Sequence, residues 1–171
     1  MIDPAEVAVI REQLGREPRG LRAVAHRCPC GRPDVVETAP RLPDGTPFPT
    51  LYYLTCPRAA AAIGGLEAAG LMREMTGRLA DDAATAREYQ RAHQDYLARR
   101  DAAADAAGQD RLPPGTQSAG GMPDRVKCLH ALVAHELAVP GANAFGRVAL
   151  TAAGQWWSRG PCVIPDDGVR R

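Results

Sequence analysis

Hydrophobic and polar positions alternate in the first third of the chain, and this alternation predicts strands. Residues 21–26 (LRAVAH) alternate like a strand, residues 34–39 (DVVETA) are rich in β-prone side chains, and residues 50–55 (TLYYLT) are the clearest strand. The Pro-Asp-Gly step within residues 42–48 is typical of a turn. We therefore predict a small three-stranded antiparallel sheet over residues 21–55.

Elsewhere the apolar positions recur every three or four residues, which predicts helices. In the first of these, Asp3 can cap the helix, Pro4 suits its first position and Gly15 can end it. Residues 108–121 are rich in Pro, Gly and polar side chains and are predicted to form a loop. The other predicted helices begin at Pro57, continue from Leu71, span 84–107, open at Pro123 and follow Asn143.

These elements predict an α+β fold, with the sheet near the N-terminus packed against five or six helices. The 171 residues predict a single domain. Within it we expect an N-terminal helix over residues 1–15, a core over 16–157 and an irregular tail over 158–171.

Composition narrows the classes of function. The net charge of +1 and an aromatic content of 5% argue against nucleic-acid binding. The longest apolar stretch, residues 59–72, is interrupted by Glu67 and by glycines, so no membrane insertion is expected. Acidic residues stand near the N-terminus where a signal peptide would be basic, which predicts a cytoplasmic protein whose thiols stay reduced.

The chain has five cysteines, and four of them lie at the predicted ends of elements. Cys28 and Cys30 flank a proline before a glycine turn, Cys56 ends the clearest strand, and Cys128 lies near a predicted helix start, where the helix dipole favours a thiolate. Thiolate ligands select zinc or an iron–sulfur cluster. We therefore predict a metal or iron–sulfur site formed by these four cysteines, with inert buried thiols and no cofactor, or a redox thiol, as the alternatives. Cys162 in the tail is a weaker candidate.

A histidine could replace one thiolate. Cys128 and His135 are seven residues apart and would share one helix face, whereas His130 would point elsewhere. If the first turn is irregular, His130 or His26 becomes the alternative. For each histidine taken alone, an ordinary structural role is the competing interpretation.

A second candidate site would bind an anion. Gly120 and Gly121 stand before a predicted helix that carries Arg125 and Lys127 in its first turn, and such a helix start favours phosphate. Arg22 and Arg27, in a segment without acids, could complete a basic pocket. The competing interpretation is a flexible loop before an ordinary helix.

Two blocks of the sequence resemble a known family. "RGLRAVAHRCPCGRPDVVETAPRLPDGTPFPTLYYLTCPRAAAAIGGLEAAGLMREM" and "GGMPDRVKCLHALVAHELA" are similar to the bacterial domain-of-unknown-function family 501, with a resemblance running from about Arg16 to Trp157. Matching these blocks points to Cys28, Cys30, Cys56, Cys128 and His130. A weaker block differs, because Ala144 stands where the family usually has a proline. The resemblance implies no activity. The family's genes often lie beside those for an exopolyphosphatase-type phosphatase and a septum-formation initiator protein.

Three hypotheses of function follow. The first is a cytoplasmic protein whose cysteine-rich metal or iron–sulfur site has a structural or sensory role. The second is an enzyme or regulator that binds a phosphate, polyphosphate or nucleotide ligand in the basic pocket. The third is an interaction protein for cell division or polyphosphate metabolism that uses the helix of residues 84–107. Whether the protein is an enzyme is left open by the sequence.

Overall fold

A computed structural model describes residues 2–164. It contains the predicted sheet, in which both neighbouring pairs of strands are antiparallel and the strand order is that of the sequence. The strands are β1 (Leu21–Arg27), β2 (Pro33–Thr38) and β3 (Tyr52–Leu54). Because β2 lies between the other two, the C-terminal ends of β1 and β3 lie at the same end of the sheet but are two strand spacings apart, about 10 Å.

Six α-helices in the described residues complete the α+β fold, so the predicted fold class is confirmed. Asp3 caps the first helix by accepting from the Ala5 N–H, and Gly15 ends it in the left-handed conformation, as expected. None of these helices is long and apolar enough to cross a bilayer. The helices are α1 (Pro4–Leu14), α2 (Pro57–Ala68), α3 (Leu71–Asp81), α4 (Ala83–Ala106), α5 (Leu129–Ala138) and α6 (Ala144–Ala153), followed by a 3-10 helix (Trp156–Arg159).

The core is built around α5, which is apolar on nearly all sides. A helix of this kind must be covered by other elements. One side packs on the sheet, chiefly on β3, and the others pack on α2 and α6. Leu129, Leu132 and Val133 have no exposed surface.

The predicted start of α5 was wrong: the helix begins at Leu129 and not at Pro123. Residues 120–127 form a turn instead, closed by hydrogen bonds from the Lys127 N–H to the Gly120 carbonyl (2.6 Å) and from the Arg125 N–H to the Gly121 carbonyl (3.2 Å). Both glycines have positive φ, and a Cβ on Gly120 would lie 2.6 Å from a methyl group of Leu132. Tertiary packing therefore decides the backbone here over the local helix signals.

Two side chains of α4 fix the segments that precede β3 and α5. The Tyr96 hydroxyl accepts a hydrogen bond from the Leu51 N–H at 2.6 Å. Arg100, which is 3% exposed, donates to the carbonyls of Pro49, Gln117 and Thr116. The long loop before α5 is thus held by a buried guanidinium, because its carbonyls need donors where water is excluded.

Candidate metal centre

Cys128 is the N-cap residue of α5 and has an extended backbone, with φ −153° and ψ 109°. Its neighbour across the interface is Glu67, in the last turn of α2. The Glu67 carboxylate accepts a hydrogen bond of 2.7 Å from the Leu129 N–H, one of the helix-start donors that have no partner within α5. This bond holds the carboxylate at the start of α5.

His130 completes a group of three. Its Nδ1 lies 3.1 Å from Glu67 Oε1, and its Nε2 lies 3.0 Å from the Ala60 carbonyl oxygen. One ligand atom from each of Glu67, Cys128 and His130 lies within 4.8 Å of those of the other two. Among residues 2–164, this is the one group of three or more Cys, His, Asp or Glu side chains that has metal-binding spacing.

Helical spacing predicted His135 as the partner of Cys128, with His130 or His26 as the alternative if the first turn were irregular, and the structure brings His130 to Cys128. The prediction of His135 requires Cys128 to lie inside the helix. Since Cys128 is extended, the 100° step per residue does not apply between it and His130.

The thiol of Cys128 is protonated more readily than expected for a helix start. Burial raises its pKa, and the nearby Glu67 carboxylate adds to the rise. The N–H groups of Ala131 and His130 act in the opposite direction but do not outweigh these two effects. The helix start therefore lowers the pKa as expected, but burial and Glu67 outweigh it, and a metal must displace a proton from this sulfur.

A cavity of about 460 Å³ opens beside Cys128 and His130. Its lining is mostly apolar, and the residues that share it with them are Thr50, Tyr52, Tyr53, Leu54, Ala60 and Ala131. A cavity of this size is in the range of small-molecule sites.

A family model for proteins of unknown function, DUF501, matches residues 24–151, well over half of the chain. The chain belongs to the DUF501 family. The match covers Glu67, Cys128 and His130 and ends before Cys162. Searches of the curated proteins and of the solved structures found no match.

Within the DUF501 match, Cys28 and Cys30 lie in the turn between β1 and β2, away from the Glu67 group. The Cys28 N–H donates to the Arg32 carbonyl at 2.9 Å, and the Gly31 N–H donates to the Cys28 carbonyl at 2.8 Å, which gives the predicted tight turn. Burial raises the pKa of Cys28 to about 11, and the neighbouring Cys30 thiol contributes.

Cys56 is the N-cap residue of α2, and its neighbouring thiol is Cys162, not Cys128. Burial raises the pKa of Cys56 to about 12, with the adjacent Cys162 thiol adding to the rise. The Cys162 Sγ accepts from the Gln13 side chain at 3.2 Å. The four cysteines predicted as one ligand set thus lie in three separate places, because β2 separates the ends of β1 and β3, and because Cys56 and Glu67 lie at opposite ends of α2.

The two other candidate histidines have different partners. His135 is fully buried, and its Nε2 lies 2.9 Å from Asp95. The His26 Nδ1 lies 2.7 Å from Asp34, which has no exposed surface. Neither belongs to the group around Cys128.

The basic residues predicted to form an anion pocket contact different parts of the molecule. Arg22 pairs with Glu37 at 3.4 Å and donates to the Ala103 carbonyl, and Arg27 pairs with Glu6. Lys127 is exposed, and the glycine pair closes the turn of residues 120–127. Arg125 lines a cleft that also contains Glu67.

Glu67 is a candidate ligand that the sequence did not predict. In the sequence it stands only as an interruption of the apolar segment 59–72. A lone carboxylate in such a segment was the available signal, since acidic residues in largely apolar helices need a partner.

Proposed function

We propose that this protein binds a zinc ion at Glu67, Cys128 and His130, and that the ion links α2 to α5. One observation carries the proposal: a thiol sulfur, an imidazole nitrogen and a carboxylate oxygen all lie within 4.8 Å of one another. Zinc takes these three types of ligand together, whereas magnesium and calcium prefer oxygen alone.

The hydrogen bonds of His130 support this assignment. Both ring nitrogens face oxygen atoms, so a neutral ring with one N–H cannot satisfy both positions. A ring that binds zinc through Nδ1 and donates its Nε2–H to the Ala60 carbonyl satisfies both. Zinc-bound histidines commonly donate their second N–H in this way.

Charge also supports zinc. The carboxylate of Glu67 and the thiolate of Cys128 together balance a divalent ion. This balance matters because the side chains of His130 and Glu67 are only 32% and 22% exposed, and a charge removed from water needs a partner. An iron–sulfur cluster, the alternative raised by the sequence, is held by more thiolates than the single one in this group.

Three protein ligands leave a fourth zinc position for water or a ligand. The cavity beside Cys128 and His130 gives that position access to a small molecule. We therefore propose a zinc site of the open type, whose structural role is to join two helices and whose further role is to bind a ligand.

The test is metal analysis of protein purified without oxygen. We expect close to one equivalent of zinc and no iron in the wild type. Cys128→Ser and Glu67→Gln should each lower zinc affinity by at least about 100-fold. Loss of a direct ligand should cost at least as much affinity as the loss of a residue that only hydrogen-bonds to a ligand, which lowers metal affinity by up to about 100-fold.

Cys30→Ser is the matched control, because Cys30 is a partly exposed cysteine outside the proposed site. This variant should retain zinc. Loss of metal in Cys30→Ser with full retention in Cys128→Ser would place the site at the turn between β1 and β2 instead. Wild-type protein without zinc would refute the proposal.

A further inference from the structure

A second cleft borders Glu67 and carries positive charge. Its volume is about 410 Å³, and Arg73 on α3 and Arg125 in the turn of residues 120–127 line it together with Glu67. The remaining lining residues are Gly70, Met72, Thr76 and Val126. We call this space the arginine cleft.

The two arginines have unused binding capacity. Both are exposed, and within residues 2–164 neither guanidinium takes part in an ion pair or a side-chain hydrogen bond. Glu67 is the acid that lines the cleft, but its carboxylate is held by the Leu129 N–H and lies against His130. Two guanidinium groups that line one cleft and form no ion pair favour the binding of an anion in that cleft.

The backbone that carries Arg125 is fixed before any ligand arrives. The Tyr89 hydroxyl donates to the Arg125 carbonyl at 3.1 Å, and the Val126 N–H donates to Thr76 Oγ1 at 3.0 Å. The Arg125 N–H is bonded within the turn. A ligand therefore pays mainly for ordering the two arginine side chains.

We infer that the arginine cleft binds the phosphate group of a small phosphorylated compound. The inference rests on the proposed function, because the compound would lie beside the zinc site that shares Glu67. Guanidinium groups form paired hydrogen bonds with phosphate and carboxylate oxygens. A phosphate has enough oxygens for two arginines from different elements, whereas a carboxylate has two oxygens in all.

Phenyl phosphate is the probe for a small phosphorylated compound, because it carries a single phosphate group on a small ring. Inorganic phosphate tests the anion alone, and benzoate presents the same ring with a carboxylate.

The experiment is calorimetric titration of the zinc-loaded protein with these three probes. We expect phenyl phosphate to bind, inorganic phosphate to bind more weakly and benzoate to bind weakest. Arg73→Gln and Arg125→Gln should each weaken phenyl phosphate binding by about 10-fold or more, the usual effect of losing a charged hydrogen bond. Both variants should keep their zinc.

Arg78→Gln is the matched control, because Arg78 is also an exposed arginine of α3 but contacts Phe145, with its guanidinium 5.7 Å from the ring centroid. It should bind phenyl phosphate like the wild type. An equal loss of phenyl phosphate affinity in this variant would show that any lost positive charge has the same effect, and would overturn the inference. Benzoate binding as tight as phenyl phosphate would overturn the phosphate assignment.

The inference and the proposed function can fail separately. Zinc-loaded protein that binds none of the three probes would refute the arginine cleft as a site and leave the zinc proposal intact. Protein that takes up no zinc but binds phenyl phosphate through Arg73 and Arg125 would refute the zinc site and support the cleft.

Discussion

At the scale of single residues, His135 shows how burial sets a protonation state. Its ring stacks on Tyr52 with centroids 6.0 Å apart and meets Tyr96 edge-on at 5.2 Å. Nε2 faces Asp95, and Nδ1 lies 3.4 Å from the amide nitrogen of Asn143, which is a donor. These partners fit the neutral ring with its proton on Nε2. Burial lowers the pKa of His135, and Asp95 offsets this only in part.

This pKa predicts that stability falls in mild acid. The unfolded chain binds a proton at His135 as the pH drops through the ordinary value of 6.5, whereas the folded protein binds it at lower pH. The unfolded state therefore holds more protons below about pH 6.5, and the free energy of unfolding decreases there. Urea titrations between pH 7 and pH 5 should show this decrease.

His135→Gln should make the pH dependence shallower. The dependence should not vanish, because burial also lowers the pKa of His93. An unchanged slope in the variant would show that His135 does not contribute. The variant should also be less stable at pH 7, since Asp95 and Asn143 lose a well-placed partner.

At the scale of elements, the contact between α5 and α6 depends on the absence of a side chain at Gly146. A Cβ at this position would lie 2.8 Å from the Glu136 Cβ and would clash with the Leu132 carbonyl. Asn143 caps α6 by accepting from the Gly146 N–H at 2.9 Å. Glu136 in turn accepts from the Asn143 N–H at 2.7 Å, so the cap and the close approach support each other.

Gly146→Ala should therefore destabilise the fold by about 2 kcal/mol or more, the cost of overpacking a tight contact. Gly77→Ala is the control, because Gly77 lies inside α3 with nothing within 4 Å of an added Cβ. It should stabilise the protein by about 0.5–1 kcal/mol through helix propensity. Chemical denaturation of both variants checks the pair, and equal effects would contradict the close-contact argument.

At the scale of the whole molecule, the proposed zinc ion would connect two segments that are distant in sequence. Glu67 lies in the last turn of α2, and Cys128 is the N-cap residue of α5 after the long loop that Arg100 holds in place. The ion would thus reinforce a part of the fold that otherwise depends on loop hydrogen bonds. Binding to the folded state alone stabilises a protein by mass action.

Zinc at 100 times its dissociation constant should add about 2.7 kcal/mol. For a chain of this size that corresponds to a rise in Tm of roughly 5 to 10 °C. Thermal denaturation with and without zinc measures it. Cys128→Ser should show no rise, and magnesium should have no effect on the wild type. A wild-type Tm that does not respond to zinc would contradict the proposed bridge.

Much of the fold could be predicted because its signals are local. Asp3, Pro4 and Gly15 define α1 through cap geometry that involves neighbours in sequence. The strands followed from alternation within a few residues. The start of α5 could not be predicted, since the turn of residues 120–127 is fixed by Tyr89 and Thr76, which lie far away in the chain.

For the candidate site, too, the local features could be predicted and the long-range contacts could not. The sequence singled out Cys128 at an element boundary, with His135 as its favoured histidine and His130 as an alternative, and the family resemblance, now confirmed, pointed to Cys128 and His130. Cys128 was grouped with cysteines that lie elsewhere in the fold, because spacing does not say which strand ends and helix ends meet. The pairing of Cys56 with Cys162 is a contact of this kind.

The sequence by itself determined the α+β class, most helix and strand positions and the residue types able to bind a metal, because each depends on short-range patterns. Tertiary structure alone decided that Glu67 joins Cys128 and His130, that Arg73 and Arg125 line one cleft, and that the thiol of Cys128 has a raised pKa. These outcomes depend on burial and on contacts between α2, α3 and α5, and sequence distance does not encode either.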